Sequence, residues 1–141
     1  MYFKPLLLPL LAQVALTFIV MIVMYLQRVD EMKSRKLHPQ KMDTRSRHAG
    51  QLPDSEASAN NYANLFESPV LFYTAILLAL ILMLQDRILI YLAWFYVASR
   101  YAHSLIHISY NRVMHRFTAF VISSFFLAAI WLRLGWIIIQ A

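Results

Sequence analysis

A chain of 141 residues that is 60% hydrophobic and 14% charged, with a mean hydropathy of +0.55, is too apolar for an ordinary soluble domain, which runs about 45–50% apolar and about 25% charged. Without a cysteine it has no disulfide, no thiolate metal site and no protein thiol nucleophile, and its two glycines, Gly50 and Gly135, leave no glycine-rich phosphate loop. The formal net charge of +6 would suit nucleic acid or a membrane surface, but the basic residues lie mostly between apolar runs, so loop orientation is the simpler cause and no nucleic-acid partner is expected.

The first apolar run, PLLLPLLAQVALTFIVMIVMYL from Pro5 to Leu26, is long enough to cross a bilayer, which takes roughly 20 residues in a helix. Lys4 is the only charged residue before it, and its apolar core exceeds the roughly 7–15 residues of a secretory signal, so a retained span over 5–26 is expected. A polar loop over 27–54 follows, carrying Arg28, Lys33, Arg35, Lys36, Lys41, Arg45 and Arg47. A helix is predicted over 55–84, entering the membrane near residue 65. Asp54 or Ser55 can cap it, and acids in its first turn suit the helix dipole. Pro69 removes one amide donor and frees the carbonyl of Leu65, which predicts a kink. The short turn Gln85-Asp86-Arg87 makes the next helix, 88–109, an antiparallel partner. The connection to the last helix, 116–140, includes Arg112 and ends on Arg116. The expected architecture is an all-α integral membrane protein, one domain over 1–141, with four transmembrane helices in a bundle. Basic residues crowd the first and third connections, whereas Lys4, Arg87 and Arg133 lie on the other side. Those connections should therefore face the cytoplasm, with both termini outside it.

Residues 60–73 read NNYANLFESPVLFY and carry a carboxylate to the mouth of a span. At about 100° per residue, Asn60, Asn64 and Glu67 share one helix face. On the third span Tyr96, Arg100, His103, His107 and Asn111 form a second stripe about 80° wide. Measured from the outer turn, Glu67 and His103 both lie roughly 25 Å deep, so Glu67 is level with Arg100, His103 and His107. A charge at such depth normally pairs or lines a wet cavity, and Glu67 with Arg100 is the expected pair. That pair would also serve simply to hold two helices together, and the asparagines would serve as interhelical hydrogen-bonding groups. His103 and His107 have zinc-ligand spacing, but HSLIH lacks the glutamate of the HExxH motif and no third ligand is evident, so no metal is expected. Arg112 and Arg116 equally suit positive-inside anchoring. Taken together, these groups would make a pocket for a small zwitterionic or anionic ligand, with apolar surroundings open to a lipophilic small molecule from the membrane lipids.

NLFESPVLFY on the second helix and RYAHSLIHISYNRVMHR on the third resemble the MAPEG family, the membrane-associated proteins in eicosanoid and glutathione metabolism, and the bacterial members most of all. The resemblance implies a homotrimer of four-helix subunits, located for a bacterial member in the inner membrane. It implies glutathione as co-substrate, held between neighbouring subunits near the cytosolic face. By motif it implies glutathione-binding roles for Asn64 and Glu67 (the N-x-x-E pair), Arg100 and His103 (the R-x-x-H pair), His107, and Arg28, which would reach a neighbour's site. Arg112 and Arg116 fall near the arginine that stabilises the thiolate, and Arg116 is the preferred match; these two are the implied catalytic residues. The implied chemistry is that of a glutathione-dependent transferase or peroxidase acting on lipophilic electrophiles. This chain departs from the family pattern in three places, one being that Pro69 follows Glu67 by two residues rather than three or four. It reads SANNYAN where the glutathione-binding enzymes carry an arginine, and His107 stands where a tyrosine is usual. These departures keep a second expectation open: a non-catalytic membrane binding or structural protein on the same fold.

Overall fold

The computed structural model describes residues 4–37, 52–110 and 112–140. Among the described residues the chain forms five helices: α1, Lys4–Ser34; α2, Pro53–Asn64; α3, Ser68–Ile81; α4, Arg87–Ile108; and α5, Val113–Gln140. Three segments are long and apolar enough to cross a membrane: Pro5–Ser34, Pro53–Ile81 and Val113–Gln140. Helix α4 has 22 residues, but Arg100, His103, Ser104 and His107 make it more polar. It packs against α1, α2 and α5, which hide that stripe.

Burial is inverted relative to a water-soluble protein. Gln13, Asn61, Arg100, His103 and His107 are buried, while Leu8, Leu11, Phe18, Ile22, Leu132 and Ile139 are exposed. A bilayer tolerates the exposed set and penalises the buried one if turned outward.

Helix α1 runs beyond its apolar run, so residues 27–34, expected in the polar loop, are helical. No glycine or proline interrupts QRVDEMKS, and Arg35 Nε meets Glu31 at 3.2 Å with i,i+4 spacing, a pairing that favours helix. The helix stops in a Schellman arrangement. Lys36 takes a left-handed φ of 53°, its N–H donates to the carbonyl of Lys33 at 3.2 Å, and Leu37 N–H donates to Met32 at 3.0 Å. Residues 38–51 of the expected loop, with Lys41, Arg45 and Arg47, lie outside the described residues, as does Asn111.

Helix α2 starts on Pro53, where a missing N–H is no loss. Neither Asp54 nor Ser55 caps it, contrary to expectation. Glu31 of α1 does so across the fold, accepting from the Asp54 N–H at 3.1 Å, the Ser55 N–H at 3.0 Å and the Ser55 hydroxyl at 2.9 Å. Arg35 bridges Glu31 and Asp54, and Ser58 donates to Gln27 Oε1. The single kinked helix expected over 55–84 is instead two helices. Between them, Phe66 N–H donates to Ala63 at 3.0 Å and Glu67 N–H to Asn64 at 3.3 Å, tighter i→i+3 turns. Pro69, in the first turn of α3, has no N–H to return to Leu65, so the ladder fails at this point.

A second Schellman arrangement closes α3. Met83 has φ 54°, Met83 N–H donates to Leu80 at 3.1 Å and Leu84 N–H to Ala79 at 2.9 Å. Asp86 then caps α4 by accepting from Leu89 N–H at 2.8 Å and pairs with Arg133 of α5. The hydrogen bond from Arg133 holds the Asp86 carboxyl below its ordinary value. This hairpin end contains most of the apolar core, including Phe72, Ile76, Tyr96, Leu89, Ile130 and Leu134. Phe72 stacks on Tyr96 with ring centroids 4.5 Å apart.

Candidate functional site

Three pieces of chain meet level with the broken helix: the α2–α3 joint, the last turns of α4 and the first turn of α5. His103 and His107 lie one turn apart on α4, and both address Arg116 of α5. His103 Nδ1 is 3.1 Å from the Arg116 carbonyl oxygen, and His107 Nε2 is 3.2 Å from Arg116 Nη1. Both imidazoles are buried, with ring centroids 5.7 Å apart in an edge-to-face arrangement. The remaining ring nitrogens, His103 Nε2 and His107 Nδ1, are buried without a hydrogen-bond partner. Among the described residues no third metal-ligating side chain joins the two histidines.

Asn64 and Glu67 face this pair across a cleft of about 430 Å³, which Arg116 also lines. Val113, Phe117 and Phe120 supply its apolar wall. Six of the residues singled out in the sequence (Asn60, Asn64, Glu67, His103, His107 and Arg116) thus border one cavity. A second groove, of about 670 Å³, lies between α1 and α2 and is bordered by Arg28, Glu56, Asn60 and Glu67. Asn60, Ala63 and Glu67 border both, so they form the ridge between them. Arg28 therefore reaches the far flank of Glu67 and does not enter the 430 Å³ cleft.

Arg100 and Arg112 are placed differently. Arg100 is fully buried and lines neither cavity. Its Nη2 donates a long bond of 3.4 Å to the Asn64 carbonyl, at the edge of the break, while Nε and Nη1 have no partner. The expected ion pair with Glu67 does not form: among the described residues the ion pairs join Arg35 to Glu31 and Asp54, and Arg133 to Asp86. Glu67 is exposed, and a guanidinium buried behind the joint meets the backbone instead. Arg112 is exposed in the turn before α5, where its carbonyl accepts from Arg116 N–H at 3.0 Å.

The residues that set the position of α2 are not among those expected from the sequence. Glu31 and Gln27 hold its first two turns, and Ser104 of α4 donates to Asn61 Oδ1 at 3.2 Å further along. The available signal was the unbroken helix-forming stretch after Leu26, with its Glu31–Arg35 spacing. Chemically, the cleft presents one carboxylate, one guanidinium, two imidazoles and two amides beside aromatic carbon. It can therefore take both signs of charge on a small polar ligand while an apolar group lies alongside. A family model described as the MAPEG family matches residues 6–136. Neither a curated protein nor a solved structure matches the chain.

Proposed function

The chain belongs to the MAPEG family, and on that premise we propose that the cleft at the α2–α3 joint binds glutathione and presents its thiolate to a lipophilic electrophile or peroxide. The observation that carries this reading is the convergence of Asn64, Glu67, His103, His107 and Arg116 on one cavity from separate parts of the chain. Glu67 takes the ammonium of the tripeptide, and Asn64 takes a neighbouring polar group. Arg116 lies against the sulfur and draws the thiol below its free value of about 8.5. Phe117 and Phe120 border the place where the apolar reactant sits. Arg100 acts from behind the joint by holding the Asn64 carbonyl, and Arg112 stands at the rim for a ligand carboxylate. Arg28 lies across the Glu67 ridge from its own cleft, so we assign it to the cleft of a neighbouring subunit in a homotrimer. We place this integral membrane protein in a bacterial inner membrane, with four crossing helices, the cleft toward the cytoplasm and both termini outside it, because the basic residues gather at the cleft end.

The test is calorimetric titration of the full-length protein in lipid nanodiscs with glutathione, beside turnover of 1-chloro-2,4-dinitrobenzene. Arg116→Ala is expected to lower turnover by roughly 100-fold or more, the scale for losing one charge-stabilising group, with the oligomer mass unchanged. Turnover equal to wild type in that variant would remove Arg116 from the reaction. The stretch SANNYAN, with no arginine, favours a second reading in which the fold is kept as a non-catalytic binding or structural protein, because fewer guanidiniums are present to capture carboxylates. No heat of binding at millimolar glutathione would select that reading.

A further inference from the structure

Arg100 is fully buried, and among the described residues no carboxylate pairs with it. Nη2 alone is engaged, with the Asn64 carbonyl at 3.4 Å, while Nε and Nη1 are buried and unpartnered. Glu67 acts on the guanidinium electrostatically, but from an exposed position and outside ion-pair reach. A charge at membrane depth normally pairs or lines a wet cavity, and Arg100 lines neither cleft.

The groups gathered around this cation are donors. Its bond to Asn64 sets it at the joint, just ahead of Ser68, the first residue of α3. No side chain caps that helix, and its N-terminus carries positive partial charge. Tyr96 precedes Arg100 by one turn on the same face of α4. Its hydroxyl lies beside that of Ser68, yet both oxygens are buried without a partner at hydrogen-bonding distance.

We propose that the joint binds a small monovalent anion of chloride size, held by Arg100 Nε and Nη1, the hydroxyls of Ser68 and Tyr96, and the first turn of α3. A water molecule would satisfy the hydrogen bonds but leave the guanidinium uncompensated, whereas an anion does both, and a helix N-terminus favours it further. Neither cleft reaches Arg100, so the occupant is monatomic rather than a carboxylate on a larger ligand. The anion neutralises the cation behind the cleft and fixes the start of α3 at the break. This site is separate from the cleft and does not depend on the glutathione reading.

The test uses the full-length protein in nanodiscs with bromide as the probe. Thermal midpoints are compared in sodium bromide and sodium gluconate at equal ionic strength, so that screening cancels. The wild-type midpoint is expected to rise with bromide concentration, as it does for any ligand of the folded state alone. Ser68→Ala should need roughly tenfold more bromide for the same rise, the scale of one hydrogen bond to a charged group. Arg100→Gln, which keeps a donor for the Asn64 carbonyl, should lose the dependence. Equal wild-type midpoints in the two salts overturn the proposal, as does a bromide dependence unchanged in Ser68→Ala. The second measurement is anomalous diffraction from bromide-soaked wild-type crystals, which stands even where Arg100→Gln fails to fold. A peak beside Arg100 and Ser68 supports the site. Bromide on the surface alone, an adventitious ion only, overturns it, and so does a Glu67 carboxylate turned inward onto Arg100.

Discussion

Glu31→Ala should unlatch α2 from α1. The Glu31 carboxylate is 4% exposed and accepts from Asp54 N–H, Ser55 N–H and the Ser55 hydroxyl at 2.9–3.1 Å. A hydrogen bond to a charged group is worth about 1.5–3 kcal/mol taken alone. The three do not add, because they share one carboxylate, and exposed Asp54 can exchange its bond for one to water. The ion pair to Arg35 adds little, since that side chain is 41% exposed. The net loss is about 2–4 kcal/mol. At about 1.4 kcal/mol per factor of ten, this is roughly 30-fold or more in local opening. Amide hydrogen exchange at Asp54 and Ser55, measured in nanodiscs, reads it directly. Glu31→Gln, which keeps one acceptor oxygen, should fall in between, and Arg35→Ala should stay close to wild type. If both amides in Glu31→Ala exchange as slowly as in the parent protein, Glu31 is not the cap.

Met83 occupies a left-handed position at φ 54° with its side chain 71% exposed, so Met83→Gly removes the Cβ penalty with little loss of packing. A gain of about 0.5–1 kcal/mol is expected, read as a higher thermal midpoint, and a lower midpoint would count against the closing geometry of α3. Asp86 gives a pH signature. Its folded carboxyl is held below the ordinary 3.8 by Arg133, so its contribution is complete above that value and is lost as pH falls through the lower folded value. Asp86→Asn can still cap α4 but carries no charge, so the midpoint gap between it and wild type should be open at pH 6 and close below about pH 4; an undiminished gap at pH 3 would exclude the pairing.

The helices were legible wherever apolar runs are long, and the cleft was legible wherever helical spacing puts side chains on one face. Asn64 with Glu67, and His103 with His107, are two such faces, and they border the same cavity. What spacing could not show is which flank of a stripe meets which neighbour. Arg100 is on the same stripe as the histidines, yet it is buried behind the joint rather than opposite Glu67. The proline signal pointed to the right place but understated the outcome. A kink would preserve the helical path, whereas Glu67 has φ −97° and ψ −95°, which ends one helix and begins another. The cap on α2 was not legible because its acceptor is 23–24 residues upstream, beyond any local capping pattern, on a polar helical turn that no apolar run marks.

The break in the second crossing has a consequence for the lipid beside it. Helix α3 has 14 residues, about 21 Å of rise, against a hydrocarbon layer of about 30 Å. The remaining stretch, about 9 Å, falls to the joint and the end of α2, which belong to the same crossing segment, Pro53–Ile81. Lipid at that depth therefore borders a polar break with Glu67 exposed, and not an unbroken apolar helix. An amphiphile diffusing in that leaflet would find its head and its tail both matched at this one stretch of the protein wall, without having to leave the bilayer.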